Sequence, residues 1–422
     1  MSRFTGSASS HAVFKNMGIL ASGSAVGKML SLGTYPVITR LYTPQDFGVL
    51  SVFTSVIAII VPFATLRYSV TIPLPKNDGL AFNLVVLSAG LVLGISILLG
   101  LFFITAGDAI FGFLNMAEIA DYWWLLILGV GGAAFYELFS NWATRKKNFA
   151  PVAKTTVWQS FLASSSKIGL GWLGVKPWGL LIGTVLGHGG GVISLLKSFL
   201  QDFRVNLHSI SASKIALLTR YYKDLPLYRL PSQFLLVFST KIPVLYFAFQ
   251  YGSEPTGQLG LALVMVAIPM NLIGTNTGKA YYAEIARIGP NRKSEILALT
   301  KSITKKLSLL SLAPTLVLVL FAPLLFQLVF GSEWEQAGVF TSILAFYLFV
   351  QFVTSPLVNV FNVYNQQRKF LEINAVRIML MGVVFTISYF MNLNVYETIT
   401  LYTVIISLHY IFTGYQIFKI IR

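Results

Sequence analysis

MGILASGSAVGKMLSLGTYPVITRL, Met17 to Leu41, decides the class of this chain. An apolar run of about 20 residues crosses a bilayer as a helix. Lys28 sits near the middle of the run. A lysine at that depth costs about 2.5–3.5 kcal/mol on insertion scales, so a wet cavity or an anionic partner must compensate. At about 100° per residue, Ser24, Lys28, Ser31 and Tyr35 share one face, with Ile19, Val26, Leu30 and Val37 opposite. The helix is thus two-sided, and the wet side either lines a passage for an anionic ligand or pairs its lysine with a carboxylate.

Composition extends this reading to the whole chain. The 422 residues are 55% hydrophobic and only 11% charged, with a mean hydropathy of +0.72. Soluble domains carry about 25% charged residues. The fold class expected is therefore an all-α polytopic membrane protein. Apolar runs suggest twelve spans, at 17–41, 48–72, 81–106, 122–143, 151–174, 178–200, 226–250, 257–281, 304–330, 336–363, 370–391 and 396–418. Met1 to Asn16 is polar and shows no cleavable signal pattern. The absence of cysteine removes disulfides and thiolate metal sites.

The net charge of +16 would suggest nucleic acid in a soluble protein. Here topology accounts for it. Basic residues crowd the loops after even-numbered spans, including Lys76, Arg145, Lys146, Lys147, Lys197, Arg204, Arg292, Lys293 and Arg368. Loops after odd-numbered spans keep only Arg40 and Lys176 among several acids. The positive-inside rule then places both termini in the cytoplasm.

The polar stretch Gln201–Asp224 divides the spans six and six. Short echoes recur in matching order: Tyr42–Gly48 with Tyr251–Gly257, Phe111-Gly112 with Phe330-Gly331, and Arg145–Phe149 with Gln367–Phe370. They suggest two six-helix lobes, 1–213 and 214–422, related by a parallel pseudo-two-fold repeat. Transporters built this way bind their cargo between the repeats.

Interior charge supplies the candidate site. The cations are Lys28, Arg67, Lys167, Arg229, Lys241 and Arg377. The interior acids are Glu137 and Glu372. Two carboxylates cannot neutralise six cations, so a cavity among them attracts anions. Arg67 and Arg229 lie near span ends, where they could instead snorkel. Glu137 has three open roles: counter-ion, proton carrier or helix-end residue. Gly179, Gly183, Gly187 and Gly191 form a small-residue stripe suited to close helix packing.

Apparent motifs for nucleotide chemistry fail on context. Gly23 to Met29 has the wrong spacing for a phosphate loop, and Gly169–Gly174 matches a dinucleotide fingerprint without a strand before it. No catalytic or metal-ligating constellation stands out, so neither an enzyme nor a cofactor is expected.

The segment Ile38–Gly48, the pair Leu66-Arg67-Tyr68 before Pro73–Lys76, and Phe330–Trp334 resemble the polysaccharide-exporter branch of the multidrug/oligosaccharidyl-lipid/polysaccharide (MOP) superfamily. The resemblance implies a V-shaped pair of six-helix lobes around a cationic cavity. It implies an O-antigen (Wzx-type) flippase for polyprenyl-diphosphate-linked oligosaccharide in the bacterial inner membrane. Lipid II flippases are relatives that usually have two further spans. The partners implied are the lipid-linked glycan, the bilayer, and glycan polymerase and chain-length proteins. Proton or sodium exchange or the membrane potential would drive it. The alternatives are an ion-coupled exporter of cationic or amphipathic drugs, which needs interior carboxylates, and a non-transporting scaffold of a glycan-assembly complex.

Overall fold

A computed structural model describes residue 23 and residues 25–113 and 117–422, without the side chains of 117, 118, 269, 271 and 272. The expectations for Ile19 and Ser24 lie outside these residues. Every regular element described is helical. Nine helices among the described residues are long and apolar enough to cross a membrane. They match nine of the twelve expected spans.

The other three expected spans are also helical, each with a local reason for falling short. α1 (residues 25–41) is described only in part. α5 (Ala150–Trp172) carries Lys154, Lys167, three threonine and glutamine side chains and four serines. α11 (Ser253–Pro269) gives way to a π-helical turn at Met270–Gly274 before α12 (Thr275–Ile288).

The chain forms two compact units, 1–241 and 242–422. The first contains α1, α2 (Pro44–Ala64), α3 (Asp78–Phe113), α4 (Trp123–Lys146), α5, α6 (Trp178–Gly189), α7 (Val192–Ser198), α8 (Leu200–Asn206) and α9 (Ala212–Tyr221). α10 (Leu230–Tyr251) carries the boundary after Lys241. α2 starts sharply because Thr43 and Asp46 form a reciprocal capping box with Pro44 at the first helical position. It ends eight residues before the expected position. Leu66 and Arg67 both adopt left-handed backbone (φ 46° and 66°), which breaks the helix.

The ends of this unit sort by loop parity. Asp78 accepts from Arg145 and Lys146, each at 2.8 Å, and Arg145 also donates to the Pro75 carbonyl at 2.7 Å. Lys146 reaches Asp202 at 3.3 Å. Loops after the second, fourth and sixth spans therefore meet at one end. A core of Phe82, Phe139, Trp142, Phe199 and Phe203 lies beneath them. At the other end, Tyr122 packs edge-on against Trp178 (4.7 Å), and Lys176 lies 5.9 Å from the Tyr42 ring centroid.

The expected sixth span runs from Trp178 to Ser198, with a turn at Gly190-Gly191 between α6 and α7 in which both residues keep right-handed helical dihedrals. A Cβ on Gly189 would lie 3.1 Å from the Gly132 Cα, so α6 and α4 touch backbone to backbone. The glycine stripe faces α5 at Gly183 and Gly187, where the nearest atoms belong to Ala163 and Lys167.

The second unit is built around α14 (Glu335–Thr354), with α11, α13 (Lys293–Phe330), α16 (Gln367–Phe390) and α17 (Val395–Ile421). α15 (Val360–Val363) joins the polar-end cluster. α17 begins on an Asn394–Glu397 capping box. Gly338 permits close approach, since a Cβ there would lie 2.5 Å from the Pro323 Cα of α13. Parity holds here too. Ile288, Ile296, Tyr364, Phe370 and Ile421 pack together at one end. At the opposite end, Gln258 donates to the Glu333 carbonyl at 2.7 Å and Tyr251 to the Leu393 carbonyl at 2.8 Å.

Candidate functional site

In the first unit, polar side chains of α5 form a seam toward its neighbours. Tyr136 of α4 lies 3.0 Å from the Thr155 hydroxyl and 3.2 Å from that of Thr156. Gln159 donates to the His188 carbonyl at 3.2 Å. Thr34 of α1 donates to Ser164 at 3.0 Å, and Tyr42 donates to the Lys167 carbonyl at 2.7 Å. α1 fits against this seam through Gly27, where a Cβ would meet the Ser160 hydroxyl at 2.9 Å. In a medium without water, such bonds replace the solvation that the hydroxyls and amides would otherwise lose.

Lys28 is the next residue after Gly27, so it points about 100° away from the α5 contact. It is exposed. Of the other exposed residues of α1, Val26, Met29, Gly33 and Val37 form an apolar stripe that ends at Arg40. At about 100° per residue, that stripe centres roughly 140° from Lys28. The helix therefore has three faces: one packed on α5, one apolar, and one bearing Lys28. Val26 and Val37 keep the apolar side expected of them.

Lys167 is partly buried on α5, with its stem laid across Gly183; a Cβ there would come within 2.5 Å of its Cγ. Lys241 is likewise partly buried, in the middle of α10. Among the described residues, Lys28, Lys167 and Lys241 have no carboxylate within ion-pair distance.

Arg67 and Arg229 are placed differently. Arg67 pairs with Glu137 at 3.4 Å, and Ser69 donates to the same carboxylate oxygen at 3.2 Å. Of the three roles open to Glu137, the structure supplies a counter-ion contact. Arg229 is exposed in a π-helical turn at Leu225–Arg229, ahead of α10. Glu372, the other interior acid expected, pairs with Arg368 on an exposed helix end at 3.0 Å.

Arg377 in the second unit is 8% exposed and has no carboxylate partner among the described residues. Its guanidinium lies 5.6 Å from the Tyr410 ring centroid. Tyr410 and Tyr402 pack on Tyr347 at 5.8 and 6.0 Å. Gln351 donates to the Tyr410 hydroxyl at 3.0 Å. The negative faces of aromatic rings attract a cation but do not cancel its charge. The Nε of Arg377 has no hydrogen-bond partner. Sequence reading located Arg377 and missed this tyrosine box. Its signal was Tyr402 and Tyr410 eight residues apart, about two turns, on one helix face.

Lys167 and Lys241 in the first unit and Arg377 in the second are thus at least partly buried with no carboxylate partner among the described residues, while Lys28 is exposed.

Comparison with known proteins gives the same architecture. The chain is similar to an inward-facing multidrug resistance MATE family transporter of the MOP superfamily, at 15% identity and a TM-score of 0.68, covering 93% of this chain and 94% of that one. It is also similar to a MOP superfamily transporter from Pyrococcus furiosus described as having a binding pocket of reverse polarity. There the identity is 16% and the TM-score 0.56, with 96% and 95% of the chains covered. A MATE transporter from Vibrio cholerae aligns at 14% identity and a TM-score of 0.51, covering 97% and 95%. At these identities the likeness is one of fold. No curated protein matches. The model of the polysaccharide biosynthesis protein family matches residues 37–339, well over half of the chain. On that match the chain belongs to the polysaccharide biosynthesis protein family, and its fold is like that of transporters of the MOP superfamily.

Proposed function

We propose that this protein moves a polyprenyl-diphosphate-linked oligosaccharide from the cytoplasmic to the outer leaflet of a bacterial inner membrane. The observation that carries the reading is the set of cations on expected spans without carboxylate partners among the described residues: Lys28, Lys167, Lys241 and Arg377. Lys28 and Lys241 hold the diphosphate, and Lys167 and Arg377 assist. Arg67 is engaged by Glu137 and Arg229 is exposed, so both rank below these four. At an effective dielectric of 20, unit charges about 7 Å apart attract by roughly 2.4 kcal/mol. A few such contacts offset desolvation of the anion and still permit release. The glycan travels with the diphosphate through the protein while the lipid tail stays in the bilayer.

Rocking between inward and outward states delivers the cargo, as in other repeat-built transporters. An inside-negative potential of about 100 mV favours outward movement of each negative charge by about 2.3 kcal/mol. Proton or sodium exchange, or consumption of the product outside, are the other sources of drive. Both termini then lie in the cytoplasm, and glycan polymerase and chain-length proteins receive the product.

The experiment is deletion of the gene followed by identification of the lipid-linked species that accumulates in the inner leaflet. Accumulation of a polyprenyl-diphosphate oligosaccharide, with loss of surface glycan, is the expected result. Loss of drug resistance with normal surface glycan would instead make the protein a drug exporter of the same fold. Normal glycan after charge removal at Lys28 and Lys241 would make it a scaffold.

A further inference from the structure

Beside the Gly190-Gly191 turn of the sixth span is a cleft whose residues take no part in the site above. Gly189 is drawn against Gly132 of α4, and Gly191 fits between the side chains of Tyr136, Thr155 and Gln159. Held there, α7 packs beside α5 with its face of Ile193, Ser194, Lys197 and Ser198 exposed. The space between them is a cleft of about 540 Å³ lined by Trp158, Gly190, Ile193, Ser194, Lys197 and Ser198.

Its walls differ from end to end. Trp158 stacks on Phe161 with ring centroids 5.6 Å apart, and both rings are about half exposed. Ile193 beside them is 66% exposed. Ser194 next to it is exposed, as are Lys197 and Ser198 one turn further along α7. Lys197 makes no ion pair among the described residues. The acid one turn beyond, Asp202, is taken up by Lys146 and Trp142. Lys154, also exposed, lies one turn before Trp158 on α5. This is the same end of the unit at which Arg145, Lys146 and Asp78 meet.

Apolar side chains, then an indole, then lysine and hydroxyls is the order in which a bilayer passes from acyl chains to headgroups. A phosphate at Lys197 would gain a cation and the Ser194 hydroxyl as donor. We propose that this cleft holds the phosphodiester headgroup of an anionic glycerophospholipid, with its acyl chains against Trp158, Phe161 and Ile193. One lining lysine matches one phosphodiester charge. A diphosphate would bring further charge with no second lining cation. The proposal is independent of the cargo and stands whether or not the protein carries a glycan.

The test uses the full-length protein in nanodiscs containing phosphatidylcholine or phosphatidylglycerol with brominated acyl chains, which quench nearby tryptophan. Subtracting the Trp158→Phe signal isolates Trp158 from the other six tryptophans. The expected result is quenching of Trp158 at an about fivefold lower mole fraction of brominated phosphatidylglycerol than of brominated phosphatidylcholine. Lys197→Gln abolishes that preference and Lys197→Arg keeps it, with both variants monodisperse on gel filtration. Equal quenching by the two lipids overturns the proposal, as does an undiminished preference in Lys197→Gln. Protection of Trp158 from both lipids by a soluble oligosaccharide overturns it in favour of a sugar platform.

Discussion

The side chain of Lys167 crosses Gly183 so closely that a methyl group on the glycine would lie 2.5 Å from the lysine Cγ. The glycine is thus what permits an uncompensated lysine to pack at the α5–α6 contact. Gly183→Ala should displace Lys167 and overpack the contact, at a cost of about 1–3 kcal/mol. Thermal unfolding of purified protein checks the stability, and surface-glycan export checks the lysine. A variant as stable and as active as wild type would show that Lys167 has room to move.

Arg67 and Glu137 offer a double-mutant cycle. Glu137→Gln leaves the Arg67 charge, whose side chain is 15% exposed, without its carboxylate. Arg67→Gln alone leaves Glu137 with Ser69 only. We expect either single change to destabilise more than the pair made together, with a coupling energy of about 0.5–3 kcal/mol. Additive losses in melting temperature would mean that the contact is energetically idle.

Arg377 separates stability from function. A buried charge without an acid is costly, and its replacement by an apolar residue of similar volume is often neutral or stabilising by about 1–4 kcal/mol. Arg377→Met should therefore raise or preserve the melting temperature and lower export. Arg377→Lys should retain more export than Arg377→Met. A melting temperature that falls with Arg377→Met would assign the arginine a structural role beside Tyr410.

Lys28→Ala at normal membrane abundance should reduce export several-fold more than Lys28→Arg. The measurement is surface glycan against accumulated lipid-linked precursor. Wild-type export in both variants would remove Lys28 from the diphosphate contact.

Hydrophobic runs and the alternation of basic loops were legible because bilayer thickness and topology act on sequence directly. The parity of the loops reappears in the contacts of Asp78 with Arg145 and Lys146, and of Tyr251 with Leu393. Other features depended on three-dimensional neighbours. The early end of α2 comes from left-handed backbone at Leu66 and Arg67, residues with no turn propensity to announce it. The glycine stripe of the sixth span was legible as a packing surface, and Gly179, Gly183, Gly187 and Gly191 all meet neighbouring side chains closely, whereas the turn at Gly190-Gly191 was not. The partner of Arg67 is 70 residues away, and the tyrosine box around Arg377 draws on two other helices. Counting interior acids and bases gave the sign of the imbalance, while only geometry removed Arg67 from the uncompensated set.

Tyr42 and Tyr251, which echo one another in sequence, each tie the start of a bundle to a carbonyl near the end of a late helix, at Lys167 and Leu393. Each bond acts as a strut across the non-basic end of its own bundle. Sliding the first helix lengthwise would break the strut. Each strut thereby ties the lengthwise register of an early helix to a later one within its own bundle.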